Sequence, residues 1–188
     1  MYDGFLKRIF DIWVASFALV VLSPVMIIIA ILIKLEDGGD VLFRQTRIGK
    51  DSGNFTVFKF RSMPTGTANL PSALAADVKV TKIGRFIRRT NIDELPQLFN
   101  VILGDMSIVG PRPPIPSQIE LCAMRKENGA DRCLPGITGL AQIRGYDYMP
   151  ETEKVSYDAE YSNNLSFWLD LKIIFGTLPV LTRKPPVY

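Results

Sequence analysis

The chain has 188 residues, 47% of them hydrophobic, and a net charge of +3. This length suits one domain, or one domain with an appendage, and the charge gives no indication of a nucleic-acid-binding protein. The sequence contains no histidine, which excludes Ser-His-Asp triads, His-ligated zinc and imidazole general bases. Its two cysteines, Cys122 and Cys133, lack metal-type or redox spacing. A metal would therefore be bound by oxygen ligands, which favours magnesium, manganese or calcium.

An apolar segment at residues 12–33 is long enough to cross a bilayer, at about 33 Å if helical. It is compatible with a straight span. It is equally compatible with a re-entrant helix kinked at Ser23-Pro24, because Pro24 removes a helical hydrogen bond and Ser23 can bind the freed carbonyl. Positive charge favours the cytoplasmic side of a membrane, and here it flanks both ends, at Lys7, Arg8 and Lys34.

Alternating polarity after a turn-rich hinge at 36–40 predicts two strands, at 41–45 and 55–61. Glycines at both ends of residues 49–53 indicate a hairpin loop between them. Lys59 and Arg61 share one face of the second strand. That face is either solvated or binds an anion.

Three further segments are predicted to be amphipathic or surface helices. Residues 82–89 form a short basic helix, of the kind that lies on anionic lipid headgroups. Residues 151–163 form a charged helix that faces solvent. The aromatic segment 167–175 is too short to span a membrane and forms either an interfacial helix or a core helix.

Two adjacent acids, Asp93 and Glu94, lie just before a helix. Apolar residues repeat at helical spacing from Leu95, and Pro96 is tolerated only in a first helical turn. The acids therefore lie at or just before a helix N-terminus, where phosphate is favoured, and Arg88 is close in sequence. Ordinary helix capping is the alternative interpretation.

Arg112 lies between Pro111 and Pro113, which hold the backbone extended and stiff. A guanidinium on so rigid a loop loses little entropy when it binds a diphosphate, although a purely structural turn would have the same sequence. The glycine-punctuated stretch 135–145 feeds a short strand and adds a further cation, Arg144.

Several motifs that run nearly from end to end resemble the monotopic phosphoglycosyl transferases, also called bacterial sugar transferases. Within that family the chain is most similar to the small members that begin protein N-glycosylation. The motifs lie at residues 7–11, 23–24, 43–49, 58–63, 89–97, 104–113 and 135–139.

The resemblance implies a helix-dominated α+β fold. Residues 1–36 would form a re-entrant membrane helix kinked at Ser23-Pro24. Residues 37–188 would form a catalytic domain with a small β-hairpin and interfacial amphipathic helices, on the cytoplasmic face of the bacterial inner membrane.

The resemblance also implies a reaction. A sugar-1-phosphate passes from a UDP-sugar, expected to carry an N-acetylated or diacetamido deoxyhexose, to undecaprenyl phosphate, with release of UMP. Asp93 would form a covalent phosphosugar intermediate, and Mg²⁺ would be held by Asp93 and Glu94. Glu94 would alternatively orient Asp93 or tune its ionisation. The expected substrate-binding residues are Lys59, Arg61, Arg88, Pro111, Arg112, Pro113 and Arg144.

Two other functions remain open. One is a non-catalytic membrane scaffold that recruits later glycosyltransferases of the same pathway. The other is a UDP-sugar diphosphatase, in which water replaces the lipid acceptor. The Asp93-Glu94 pair beside a membrane anchor favours the transferase.

Overall fold

The computed structural model describes residues 2, 4–65, 80–145 and 149–181. Most of the described residues are helical and the strands are short, which confirms the helix-dominated α+β prediction. The last part of the predicted catalytic domain, residues 182–188, lies outside the described residues. The elements are α1 Phe5–Asp37, β1 Leu42–Ile48, β2 Asn54–Phe60, α2 Lys82–Arg89, α3 Gln97–Leu103, β3 Ser107–Val109, α4 Ile119–Asn128, β4 Gly136–Thr138, α5 Leu140–Arg144, α6 Glu151–Asn163 and α7 Phe167–Leu181.

Helix α1 is long and apolar, and it continues through Pro24. The Ser23 hydroxyl donates to the Val20 carbonyl at 2.8 Å, which confirms the predicted bond, since Pro24 has no N–H for that carbonyl. Among the described helices, α1 alone has the length and composition to cross a membrane. Only 11% of its most apolar window is buried, whereas the core helix of a soluble protein would be mostly buried. Most of α1 thus presents apolar side chains outward.

Both ends of α1 are attached to the rest of the domain. Near the beginning, Arg8 donates to the carbonyls of Val101 and Ile102 at 2.5 and 2.8 Å, at the end of α3. At the other end, the Glu36 carboxylate accepts from the first backbone N–H groups of α2, those of Lys82 and Ile83, at 2.6 and 3.2 Å. The helix therefore begins and ends against the same body.

A buried polar network fixes the N-terminal part of α1 more firmly. Lys7 donates to Asp170 of α7 at 2.8 Å and to Asp11 at 3.3 Å. Asp11 also accepts from the backbone N–H of Ile108 in β3 at 3.1 Å. Tyr161 of α6 joins through a 2.8 Å bond to Asp170. These bonds tie α1, β3, α6 and α7 together below the apolar surface.

Strands β1 and β2 form the predicted antiparallel hairpin, closed by a 3₁₀ turn at Lys50–Ser52. The amide of Asn100 in α3 continues the sheet pattern at the edge of β2. Its oxygen accepts from Phe58 N at 3.0 Å and its nitrogen donates to Thr56 O at 2.7 Å. Asn100 is fully buried, so this bond pair sets the position of α3 against β2.

Strands β3 and β4 pair in parallel, an arrangement that was not predicted because they lie far apart in sequence. A Cβ at Gly136 would collide with the backbone nitrogen of Gly110, so glycine is required there for the close approach. The main core lies around β3, with Met106, Val109, Val101, Tyr161 and Ile173 among its buried side chains. This pairing fixes the start of the segment that contains Arg112.

Candidate active site

The two acids lie in a 3₁₀ turn, Ile92–Glu94, directly before α3. Asn91 opens this turn in the left-handed conformation, with φ 55°, and α3 begins after Pro96. This confirms the predicted placement just ahead of the helix. The N-cap residues of the turn and of α3, Asn91 and Pro96, make no side-chain cap hydrogen bond.

Glu94 lies between two cations. Lys59 of β2 donates to Glu94 Oε1 at 2.7 Å. Arg112 donates to both carboxylate oxygens, at 2.7 Å to Oε1 and 3.3 Å to Oε2. The side chains of Lys59, Glu94 and Arg112 are 17%, 16% and 32% exposed, so water screens these contacts only in part. Burial alone would raise the pKa of Glu94, but Arg112 and Lys59 outweigh it and hold the pKa well below its usual range.

Asp93 has the opposite character. Burial, with a contribution from the neighbouring Glu94 charge, raises its pKa to about 6, although the charges of Lys59, Arg88 and Arg112 act to lower it. Glu94 is therefore held firmly as an anion. For Asp93, the cost of burying a negative charge outweighs the attraction of the three cations. Perturbed acids of this kind concentrate at functional sites.

The loop that contains Arg112 is fixed by more than its prolines. Each carbonyl from residue 111 to residue 114 accepts a hydrogen bond from another part of the chain. The donors, in the order of the carbonyls, are Gly136 N at 2.9 Å, Arg125 Nη1 at 2.8 Å, Arg47 Nη1 at 3.1 Å and Ile48 N at 2.9 Å. Pro111 and Pro113 are thus backbone supports for Arg112. The stiffness that the sequence predicts is present, and most of its supporting donors were not predicted.

Two predicted substrate-binding residues lie elsewhere. Arg61 donates to both carboxylate oxygens of Asp37, one of them at 2.7 Å, and to the Asp40 carbonyl at 2.5 Å. It shares a face with Lys59 but lies two residues, about 7 Å, further along the strand, so it reaches the end of α1 instead. Arg144 is exposed and lies 5.9 Å from the ring centroid of Tyr157. No contact described for either arginine joins it to Asp93 or Glu94.

The acidic pair fits a magnesium ion by the chemistry of its donors. Mg²⁺ is commonly bound by one or two carboxylates together with substrate phosphates and water. Asp93 and Glu94 provide two such carboxylates, and the described residues hold no cluster of three or more His, Cys, Asp or Glu side chains that would form a complete protein cage. An ion here would therefore depend on the substrate for further ligands.

The comparison with known families is decisive. The model of the family described as bacterial sugar transferase matches residues 2–184. The chain belongs to this family. The predicted resemblance is thereby confirmed, whereas the closer similarity to members that begin protein N-glycosylation stays a prediction.

Several relatives have more specific names. A UDP-glucose:undecaprenyl-phosphate glucose-1-phosphate transferase of Klebsiella pneumoniae is 44% identical over 181 residues, which cover 92% of this chain and 39% of the relative. A UDP-N-acetylgalactosamine-undecaprenyl-phosphate N-acetylgalactosaminephosphotransferase of Aeromonas hydrophila is 41% identical, over 93% of this chain and 43% of the relative. The exopolysaccharide production protein PSS of Rhizobium leguminosarum bv. phaseoli is 40% identical, over 94% of each chain. The chain thus spans about two fifths of the first two relatives.

Proposed function

We propose that the chain is a membrane-bound transferase that moves a sugar-1-phosphate from a UDP-sugar to undecaprenyl phosphate and releases UMP. The observation that carries this proposal is the pair of unlike carboxylates at the acidic turn. Asp93 lies in the field of Lys59, Arg88 and Arg112, while Glu94 is already bound by two of those cations. The names of the relatives supply the class of donor and acceptor.

In the proposed first step, an Asp93 carboxylate oxygen attacks the β-phosphorus of the UDP-sugar. A new bond forms between that oxygen and phosphorus, and the bond from phosphorus to the bridging oxygen breaks, so that UMP leaves with the electron pair. A carboxylate needs no general base at neutral pH, which agrees with the absence of histidine. The pKa of about 6 leaves Asp93 mostly ionised at pH 7.

In the second step, a phosphate oxygen of undecaprenyl phosphate attacks the same phosphorus and restores the Asp93 carboxylate. Both steps bring anions together, so their repulsion must be offset by positive charge. In this proposal Arg88, Arg112 and Lys59 provide it. Magnesium held by Asp93 and Glu94 would supply further charge neutralisation when bound.

The identity of the transferred sugar is also a proposal. The candidate sugars are the N-acetylated or diacetamido deoxyhexose that the resemblance implies, and glucose and N-acetylgalactosamine, which are named for the relatives. A panel of UDP-sugars that includes all of these classes identifies the donor directly.

We further propose that α1 enters the membrane and returns to the cytoplasmic face of the inner membrane. A straight helix of this length would be about 50 Å long and would place its two ends on opposite sides of a bilayer. Here Arg8 and Glu36, close to the two ends, both bind the same domain. That attachment supports the re-entrant geometry.

Cysteine labelling tests the geometry of α1. In a background without Cys122 and Cys133, we expect Gly4→Cys and Asp40→Cys to be labelled by a membrane-impermeant maleimide from the same side of oriented vesicles. A side chain at Gly4 meets open space, although its φ of 73° strains any other residue there, and Asp40 is exposed, so both thiols are accessible. Labelling of the two positions from opposite sides would show a straight span.

The activity is tested by UMP release from the UDP-sugar panel with Mg²⁺ and undecaprenyl phosphate, followed by the intact mass of enzyme incubated without acceptor. With acceptor, we expect continued release of UMP. Without acceptor, we expect no more than one UMP per enzyme molecule and an increase in enzyme mass equal to one phosphosugar. Steady release of sugar phosphate without acceptor would instead show the diphosphatase. No release with any donor would favour the scaffold that recruits later glycosyltransferases.

A further inference from the structure

A buried ion pair lies directly behind the loop that contains Arg112. Arg125 of α4 and Asp158 of α6 have side chains that are only 5% and 2% exposed. Nε and Nη2 of Arg125 both donate to Asp158 Oδ2, at 2.9 and 2.6 Å. Nη1 of the same guanidinium donates to the backbone carbonyl of Arg112 at 2.8 Å. One side chain therefore holds a buried carboxylate and the backbone of the proposed diphosphate-binding residue together.

The geometry of guanidinium makes this contact a constraint on Arg112. Its donors lie in one plane at fixed angles, so the two bonds to Asp158 fix the plane and hence the direction of the third bond. The acceptor carbonyl is bonded to Cα of Arg112, from which the functional side chain extends. A small displacement of that Cα would move the guanidinium away from the position it needs to reach Glu94 and a substrate phosphate.

Stability alone does not require such a pair. Removing two charges from water is costly, and replacing a buried ion pair by apolar residues of similar volume is often neutral or stabilising. What an apolar pair cannot supply is a donor for the Arg112 carbonyl. The particular contribution of this pair is thus the bond to the substrate-binding loop.

We infer that Arg125, held by Asp158, is a positioning residue that sets the affinity of the site for the donor diphosphate through Arg112. The inference rests on the proposed function, because it takes Arg112 to bind the diphosphate. Arg125 itself is buried behind the loop and acts through the backbone, as supporting residues around a binding site commonly do.

The test is the paired replacement Arg125→Met with Asp158→Leu. We expect its melting temperature to stay within about 5 °C of the wild type, since both charges are removed together. We expect the KM for the UDP-sugar to rise about tenfold or more, because misplaced substrate-binding groups commonly cost that much. Arg125→Lys is the second variant, since lysine keeps the charge beside Asp158 but lacks the planar fork. Lys126→Met, at the exposed neighbouring position, is the matched control.

The outcomes distinguish an effect on the position of Arg112 from an effect on stability alone. A raised KM in both Arg125 variants, with an unchanged KM in Lys126→Met, supports the inference. A wild-type KM in the paired variant would overturn it, and so would a loss of stability with unchanged kinetics per active site. Active sites are counted from the fraction of protein that forms the adduct.

A binding measurement separates the inference from the proposed function. If the wild type releases no UMP, the transferase proposal fails, and UDP affinity is then compared between the wild type and the paired variant by calorimetry. A roughly tenfold weaker Kd in the paired variant would still support positioning of Arg112. Equal affinity, or no binding of UDP to the wild type, would overturn the inference as well.

Discussion

Replacing Asp93 by Asn should reduce turnover by about 10⁴-fold or more and abolish the phosphosugar adduct, because an amide is not a nucleophile that can replace the carboxylate. The change should leave the fold intact. Asn has nearly the same shape as Asp, and neither the acidic turn nor α3 depends on a side-chain cap from this residue. The measurements are UMP release and intact mass, with Asp93→Ala as the control for slow deamidation of the new asparagine.

The same substitution should stabilise the metal-free protein at neutral pH. The pKa of Asp93 is raised from 3.8 to about 6, chiefly by burial, so the folded state disfavours the ionised form. Well below pH 3.8 the carboxyl is protonated in both the folded and the unfolded chain, and the substitution gains nothing. Well above pH 6 it is ionised in both, and the folded wild type carries the full unfavourable charge.

Thermal unfolding at pH 5 and at pH 7.5 checks this dependence. The melting temperature of Asp93→Asn should exceed that of the wild type, and the difference should be larger at pH 7.5. An equal or larger difference at pH 5 would contradict the assignment of a raised pKa. Stability gained by removing a functional charge is the pattern expected when a site is arranged for chemistry and not for stability.

Local sequence pattern predicted the hairpin and the helices at 82–89 and 151–163. It predicted a loop feeding a short strand at 135–145, where the chain forms β4 and then the helix α5. The alternation at 41–45 and 55–61 predicted the hairpin, and Pro96 predicted that the acids lie ahead of α3, as observed. Both predictions depend on rules that act within a few residues, namely the two-residue period of strands and the missing proline N–H.

Long-range placement was beyond those rules. Helix α6 has the predicted bounds, Glu151–Asn163, but its Asp158 is buried against Arg125, whereas the charged sequence indicated a solvent-facing helix. The local sequence of a polar helix does not show which of its charged residues has a partner on another helix. Arg61 and Arg144 lie away from Asp93 and Glu94 for the same reason, because residue type does not specify how far apart two residues lie in the fold.

The second large effect is expected at Glu94. Replacing it by Gln removes a negative charge that Lys59 and Arg112 both contact, so these two partly buried cations lose a shared ion-pair partner. Removing one partner of a buried pair commonly costs 3–5 kcal/mol, and partial exposure reduces this, so we expect a loss of roughly 2 kcal/mol in the free energy of unfolding. The maximal rate should fall about 100-fold, because Lys59 and Arg112 lose the group that holds them beside Asp93.

Denaturant unfolding and UMP release measure the two effects, with the exposed Glu127→Gln as the matched control. A double variant, Glu94→Gln with Lys59→Met, shows which role of Glu94 matters. Stability should partly return, because the cation that lost its Glu94 partner is removed, whereas activity should not, because the site then lacks both Glu94 and a cation near Asp93. Wild-type activity in Glu94→Gln would mean that neither the held cations nor a second carboxylate is needed, and Asp93 alone would account for the chemistry.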